Sequence, residues 1–124
     1  MQKFSLKTEL KEVLKIWGKE VWIVNEPEYC AKFLYLNKAA ASSLHYHLQK
    51  KETFYCLEGS VALQIEGRDY MLNSFARPKT ILSEVKHRFW GITKAVILEI
   101  STHHDDGDVV RLEESRSDYY SHTL

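Results

Sequence analysis

Residues 42–59 read SSLHYHLQKKETFYCLEG, two short alternating stretches joined by the connection Leu48–Lys51. Side chains on a strand point to its two faces in turn. A strand over 43–47 therefore turns His45 and His47 to one side and Tyr46 to the other. A second strand over 52–58 puts Glu52, Phe54 and Cys56 on a common face. The connection between them reverses the chain and can bring the Glu52 carboxylate beside the two imidazoles, while Gly59 allows the positive φ of the next tight reversal. Two imidazoles and a carboxylate on one inner face are ligands of the kind divalent ions take. The competing reading is a polar hairpin whose histidines merely share a side.

The same period of two runs outward from this stretch. Short runs rich in Val, Ile, Phe, Tyr and Trp predict further strands at about 19–25, 29–36, 60–66, 68–71, 75–77, 80–83, 87–90 and 94–102. Many short strands in one chain imply an all-β sandwich or barrel. Glycine turns at EGS (58–60) and EGRD (66–69), with NEPE (25–28) as a further reversal, make the middle of the chain a meander. Leu6, Leu10, Val13 and Leu14 have helix-like spacing, with Ser5 or Thr8 as a cap, and predict a short N-terminal helix over 5–16. Beyond residue 103 the chain is polar and the strand pattern fades.

A chain of 124 residues can bury one core but not two of ordinary size. Its 17 basic and 17 acidic residues leave no net charge to draw in nucleic acid or an anionic membrane, so neither is expected as a partner. Cys30 and Cys56 each lie in an apolar run and are too few for a disulfide framework; reduced, buried thiols and a cytoplasmic location are expected. No stretch approaches the roughly 20 apolar residues of a membrane span, and MQKFSLKTELKEVLKIWGKE (1–20) carries charges throughout instead of a signal-peptide core.

A fourth ligand must come from elsewhere. His87, between ARPKTILSEVK and the aromatic strand start Arg88, Phe89 and Trp90, is the candidate. Mixed imidazole and carboxylate sets suit Zn, Mn, Fe, Co or Ni, and spacing does not choose among them. Here the chain resembles the cupin superfamily. Residues 45–59 match its first motif: two histidines separated by one residue, a glutamate after four more and a glycine after six more. His87 stands where the second motif places its last ligand, in FARPKTILSEVKH (75–87), without the usual intervening glycine or following asparagine. The resemblance implies a jelly-roll β-barrel of two antiparallel sheets with a divalent metal inside, held by His45, His47, Glu52 and His87.

KIWGKEVWIV (15–24), SLHYHLQKKETFYCLEGSVALQIEGRDYML (43–72) and AVILEISTHHDDGDVVRLEE (95–114) are similar, in the same order, to the C-terminal cupin domain of type II phosphomannose isomerases and related small sugar-isomerase cupins. His45 falls where those relatives carry glutamine. The resemblance implies an N-terminal extension over 1–14, a cupin barrel over 15–116 and a tail over 117–124. It also implies metal-dependent aldose–ketose isomerisation or epimerisation of a sugar or sugar phosphate.

Such a reaction needs a base, and Glu99, a carboxylate in the otherwise apolar run AVILEIST, is the candidate. Arg111 matches an arginine of the resembling family, where it would sit at the barrel mouth and hold an oxyanion or phosphate. Lys50 and Lys51 are either solvated or sugar-phosphate contacts. The run His103, His104, Asp105, Asp106 and Asp108 is expected not to ligate a metal, because adjacent loop residues rarely converge on one ion. Cys56 is expected to pack, not react. Trp17, Trp22, Trp90 and the tyrosines either fill the core or line a sugar pocket. Two other functions share the site: an Fe(II) dioxygenase, and a non-catalytic cupin that binds a sugar or metabolite. A homodimer through the outer sheets is expected, with the strand at 19–25 as a contact.

Overall fold

A computed structural model describes residues 10–119. Eleven strands cross this span: β1 (Lys11–Lys15), β2 (Gly18–Asn25), β3 (Cys30–Leu36), β4 (Leu44–His47), β5 (Glu52–Glu58), β6 (Val61–Ile65), β7 (Arg68–Leu72), β8 (Lys79–Ile81), β9 (His87–Gly91), β10 (Ala95–Ser101) and β11 (Val109–Glu113). They form two antiparallel sheets, ordered β1-β2-β3-β10-β5-β8 and β11-β4-β9-β6-β7. The sheets face each other as a jelly-roll barrel: the alternation predicts the all-β barrel, and the cupin resemblance implies the jelly roll.

Alternation sets the core. Along β3 the buried positions are Cys30, Lys32, Leu34 and Leu36; along β10 they are Ala95, Ile97, Glu99 and Ser101; along β5, Glu52, Phe54 and Cys56. Leu34, Leu36, Ala95, Ile97, Phe54 and Cys56 join Trp17, Val61, Leu63, Leu72, Ile81 and Phe89 in one cluster. Each fully buried Val, Leu, Ile or Phe among them contributes about 1.5–3 kcal/mol by leaving water. Phe89 lies edge-on to both Trp17 (centroids 5.1 Å apart) and Phe54 (5.9 Å), the orientation that ring quadrupoles favour. Cys30 and Cys56 are free and buried.

Three expectations change. The expected helix over 5–16 is instead strand β1 across Lys11–Lys15, in register with β2 from Lys11↔Trp22 to Lys15↔Gly18; residues 1–9, with Ser5, Leu6 and Thr8, lie outside the described residues. The physical reason is the two-residue turn Ile16–Trp17, anchored by buried Trp17, which commits the chain to a hairpin. Leu14 and Ile16 stay 81% and 60% exposed, so no apolar helix face is buried. The expected strand at 75–77 is a turn: Phe75 N–H donates to Asn73 Oδ1 (2.9 Å) and Ala76 N–H to Asn73 O (3.0 Å).

The polar stretch after 103 also holds a strand, β11, which pairs with β4. Buried Arg88 clasps it: Nε donates to Ser42 O, Nη1 to Glu113 Oε1 and Nη2 to Glu114 O, each at 2.9 Å. No helix among the described residues is long and apolar enough to cross a membrane.

Candidate metal centre

β4 and β9 lie side by side with His45 opposite His87. β5, in the facing sheet, carries Glu52 on its inward face. The centre therefore spans both walls of the barrel. One ligand atom from each of His45, His47, Glu52 and His87 lies within 4.8 Å of the others. Glu52 Oε2 is 3.0 Å from His87 Nε2 and 3.3 Å from His47 Nε2.

The surroundings fix which nitrogens are free to bind. His45 Nδ1 lies 2.9 Å from Ser43 O and His87 Nδ1 2.9 Å from Val85 O. A carbonyl only accepts, so each Nδ1 carries a proton, which leaves Nε2 as the nitrogen available to a metal. Asp108, whose carboxylate accepts backbone N–H bonds from Gln49 (2.9 Å) and Lys50 (3.0 Å), sits 3.8 Å from His47 Nδ1. Burial, and next the neighbouring His87, push the His45 pKa down to about 3, so its imidazole is neutral. Burial opposes ionisation of Glu52, but the imidazoles of His47 and His87 and the charge of Lys50 hold it well below the ordinary carboxylate value.

A divalent ion fits this set. Glu52 Oε2 and His87 Nε2, which face each other in the cluster, are buried without a hydrogen-bond partner, a costly state unless something else engages them. Metal bonds of about 2.0–2.2 Å to nitrogen and oxygen put ligand atoms roughly 3–4 Å apart, the scale of the spacing here.

Beside the cluster lies a second polar layer. Lys50 Nζ is 2.6 Å from Glu99 Oε2 and 3.7 Å from Glu52 Oε1. Burial works against the Lys50 charge, but Glu99 and then Glu52 outweigh it and raise the pKa; Lys50 is an ammonium. Lys32, on β3, reaches Glu20 Oε1 at 3.4 Å and lies 4.1 Å above the Trp22 ring. Both ammonium groups point at His104 Nδ1, from 3.2 Å (Lys32) and 3.3 Å (Lys50). An ammonium only donates, so His104 Nδ1 is the acceptor and its Nε2–H donates to Asp106 Oδ1 at 2.8 Å. These groups line a cavity of about 100 Å³ that also reaches His45, His47, Glu52, Trp17 and Arg111.

Of the residues singled out from sequence, His45, His47, Glu52 and His87 converge, and Glu99 and Lys50 sit beside them. Arg111 is exposed, pairs across β11 with His45 and borders the cavity. Lys51 is exposed. Burial pushes the Cys56 thiol up, and its Sγ donates to Glu58 O at 3.2 Å. Trp22 packs on His104 at 4.9 Å, whereas Trp90 packs on Tyr119 at 4.9 Å, apart from the cavity. Lys32, Glu20 and the cavity role of His104 were not anticipated. The alternation of YCAKFLYL carried the signal for Lys32, since it places that residue inward with Cys30 and Leu34.

Two facing sheets with a His/His/Glu/His group between them define a cupin-type jelly-roll β-barrel. No protein-family model matches the chain, and no curated protein does. Solved structures do match. Streptomyces PAC13 with uridine is 10% identical with a TM-score of 0.76, over 92% of this chain and 93% of that one. KdgF from Halomonas sp. is 13% identical with a TM-score of 0.72, over 86% and 98%. Oxalate decarboxylase from Bacillus subtilis is 15% identical with a TM-score of 0.70, over 85% of this chain and 30% of that one. At these identities the likeness establishes the cupin fold.

Proposed function

We propose that the protein is a metal-dependent enzyme that moves a proton on a small carbohydrate: an isomerase or epimerase, of aldose–ketose type, acting on a sugar or sugar phosphate. The observation that carries this reading is a buried acid–base pair set against the ligand cluster. Lys50 Nζ lies 2.6 Å from Glu99 and 3.7 Å from Glu52, whose other oxygen faces His47 and His87. A divalent ion held by His45, His47, Glu52 and His87 would polarise the carbonyl and hydroxyl oxygens of the substrate. Glu99 is the base that takes a proton from one carbon and returns it to the next. Lys50, held as an ammonium, donates to the oxygen that gains charge. Arg111, at the rim, grips the outer end of the substrate with its planar fork.

The resemblance of residues 15–116 to sugar-isomerase cupins supports the aldose–ketose direction. PAC13, described as a nucleoside dehydratase and solved with uridine, supports a sugar-bearing substrate. The test is metal analysis of the purified wild type, His47→Ala and His87→Ala, followed by NMR of aldoses and their phosphates with wild type and Glu99→Gln. The wild type should retain Zn, Mn, Fe, Co or Ni and both histidine variants should lose it. Glu99→Gln should keep the metal and lose turnover by roughly 10²–10⁴-fold. A full metal complement in either histidine variant refutes the centre. Oxygen consumption on ferrous loading without isomerisation would replace the reading with a dioxygenase, and saturable sugar binding without turnover with a binding module.

A further inference from the structure

Lys32 and Lys50 are 1% and 4% exposed, yet both aim at the same nitrogen, His104 Nδ1. That atom offers one lone pair, and two ammonium groups cannot both use it well. Lys50 has a strong partner in Glu99 at 2.6 Å. Lys32 has Glu20 at 3.4 Å and the face of Trp22 at 4.1 Å, leaving its three donors weakly matched. Two like charges held within a few ångströms in a water-poor cavity repel, and an anion relieves both faults together.

The wider charge pattern points the same way. Lys15, Lys32, Lys50 and Arg111 line the cavity, and so do Glu20, Glu52, Glu99 and Asp106. Of these only Lys32, Lys50, Glu52 and Glu99 are buried, and their formal charges cancel, so a divalent ion on the four-residue cluster would add positive charge that half-buried Glu20, already paired with Lys15 and Lys32, meets only in part.

We infer that Lys32 and Lys50 form an anion subsite beside the ligand cluster, and that the substrate carries a carboxylate or phosphate group which these two ammonium groups hold. His104 stands between the two ammonium groups and accepts from one at a time, while its other nitrogen donates to Asp106. The inference rests on reading this cavity as the substrate site. It narrows the substrate from any sugar to an acidic one, a sugar acid or a sugar phosphate.

The experiment is calorimetric titration of the metal-loaded protein with glucuronate, glucose 6-phosphate and glucose, for wild type, Lys32→Met and Lys32→Arg. At least one anionic sugar should bind wild type about tenfold or more tighter than glucose, the scale of one charge-assisted hydrogen bond. Which of the two anions leads assigns the carboxylate or the phosphate. Lys32→Met should erase that preference without changing glucose affinity, and Lys32→Arg should keep most of it.

Equal binding of all three probes by wild type, binding of none, or an anion preference unchanged within about twofold in folded Lys32→Met overturns the inference. Should Lys32→Met not fold, the wild-type preference and its weakening by added salt decide the matter. The two readings fail separately. A chain that isomerises neutral sugars without anion preference overturns the subsite alone, whereas Lys32-dependent anion binding without any isomerisation overturns the isomerase alone.

Discussion

The two ends of the barrel interior are built by one rule and held by different physics. Along β10 the inward side chains run Ala95, Ile97, Glu99, Ser101, and along β3 they run Leu36, Leu34, Lys32, Cys30. The strands are in register, so Ile97 lies opposite Leu34 and Glu99 opposite Lys32. One step along the pleat turns an aliphatic layer into a charged one. Exposure hardly differs: Ile97 and Leu34 are 0% and 2% accessible, Glu99 and Lys32 4% and 1%. At the aliphatic end burial itself stabilises. At the charged end burial costs, and pairing must offset it. The first end anchors the scaffold so that the second can hold groups that would not otherwise stay together.

The largest break in this comparison comes from splitting a pair at the charged end. Lys50→Met leaves Glu99 buried without its 2.6 Å partner and should cost about 3–5 kcal/mol in urea unfolding of the metal-free protein. Adding Glu99→Leu should return most of that loss, because an apolar pair asks for no compensation. If the single variant were as stable as the double, pairing would not be what holds this end.

The hairpin glycines probe the same contrast. Gly59, in the turn at the aliphatic end, has φ +78°, and a Cβ there would fall 2.2 Å from Lys94 O. Gly67, in the turn at the charged end, has φ +80° and open space around the added atom. Both alanine variants incur the left-handed penalty, and Gly59→Ala must also displace the backbone entering β10. Expected losses in thermal or urea unfolding are roughly 3 kcal/mol for Gly59→Ala and about 1 kcal/mol for Gly67→Ala. Equal losses would mean the aliphatic end yields as easily as the open one.

Where alternation is strong, the sequence speaks for the structure. It places β3, β5 and β10 within a residue or two and sends His45, His47 and Glu52 to where they converge, and the cupin resemblance brings in His87. Edges are harder to read. β1 carries Lys11, Glu12 and Lys15 with only one neighbour among the described strands, β2, and its few apolar residues mimic a helical stripe as readily as a strand. β11 is amid acidic residues, and its place depends on Arg88, which is distant in sequence. His104 stands in a loop of adjacent histidines and aspartates, which seldom converge on one ion, and it lines the cavity without joining the four-residue cluster. What supports it is long-range: Asn25 Oδ1 accepts from its backbone N–H at 2.9 Å, 79 positions away, and turns the ring into the barrel. No local pattern encodes such a contact.

Acid should act on the charged end alone, and the direction follows from two groups. The His45 pKa is about 3 in the folded chain against an ordinary 6.5. Between those values the unfolded chain binds the proton better, so stability falls as pH drops below about 6.5. The pKa of Glu52 is held below its ordinary 4.5, so its contribution is complete above that value and fades as pH falls through the lower, folded one. Both act in the same sense, His45 first. Each unit of pH over which a single proton is taken up on unfolding costs about 1.4 kcal/mol, so metal-free protein should lose on the order of 2 kcal/mol by about pH 5 relative to pH 7. His45→Gln, which removes the first titration, should lose clearly less over that interval while its urea midpoint still drops below about pH 4.5. A wild-type midpoint flat from pH 7 to 5 would mean that His45 is not held neutral by its burial, and that the charged end is wetter than its packing implies.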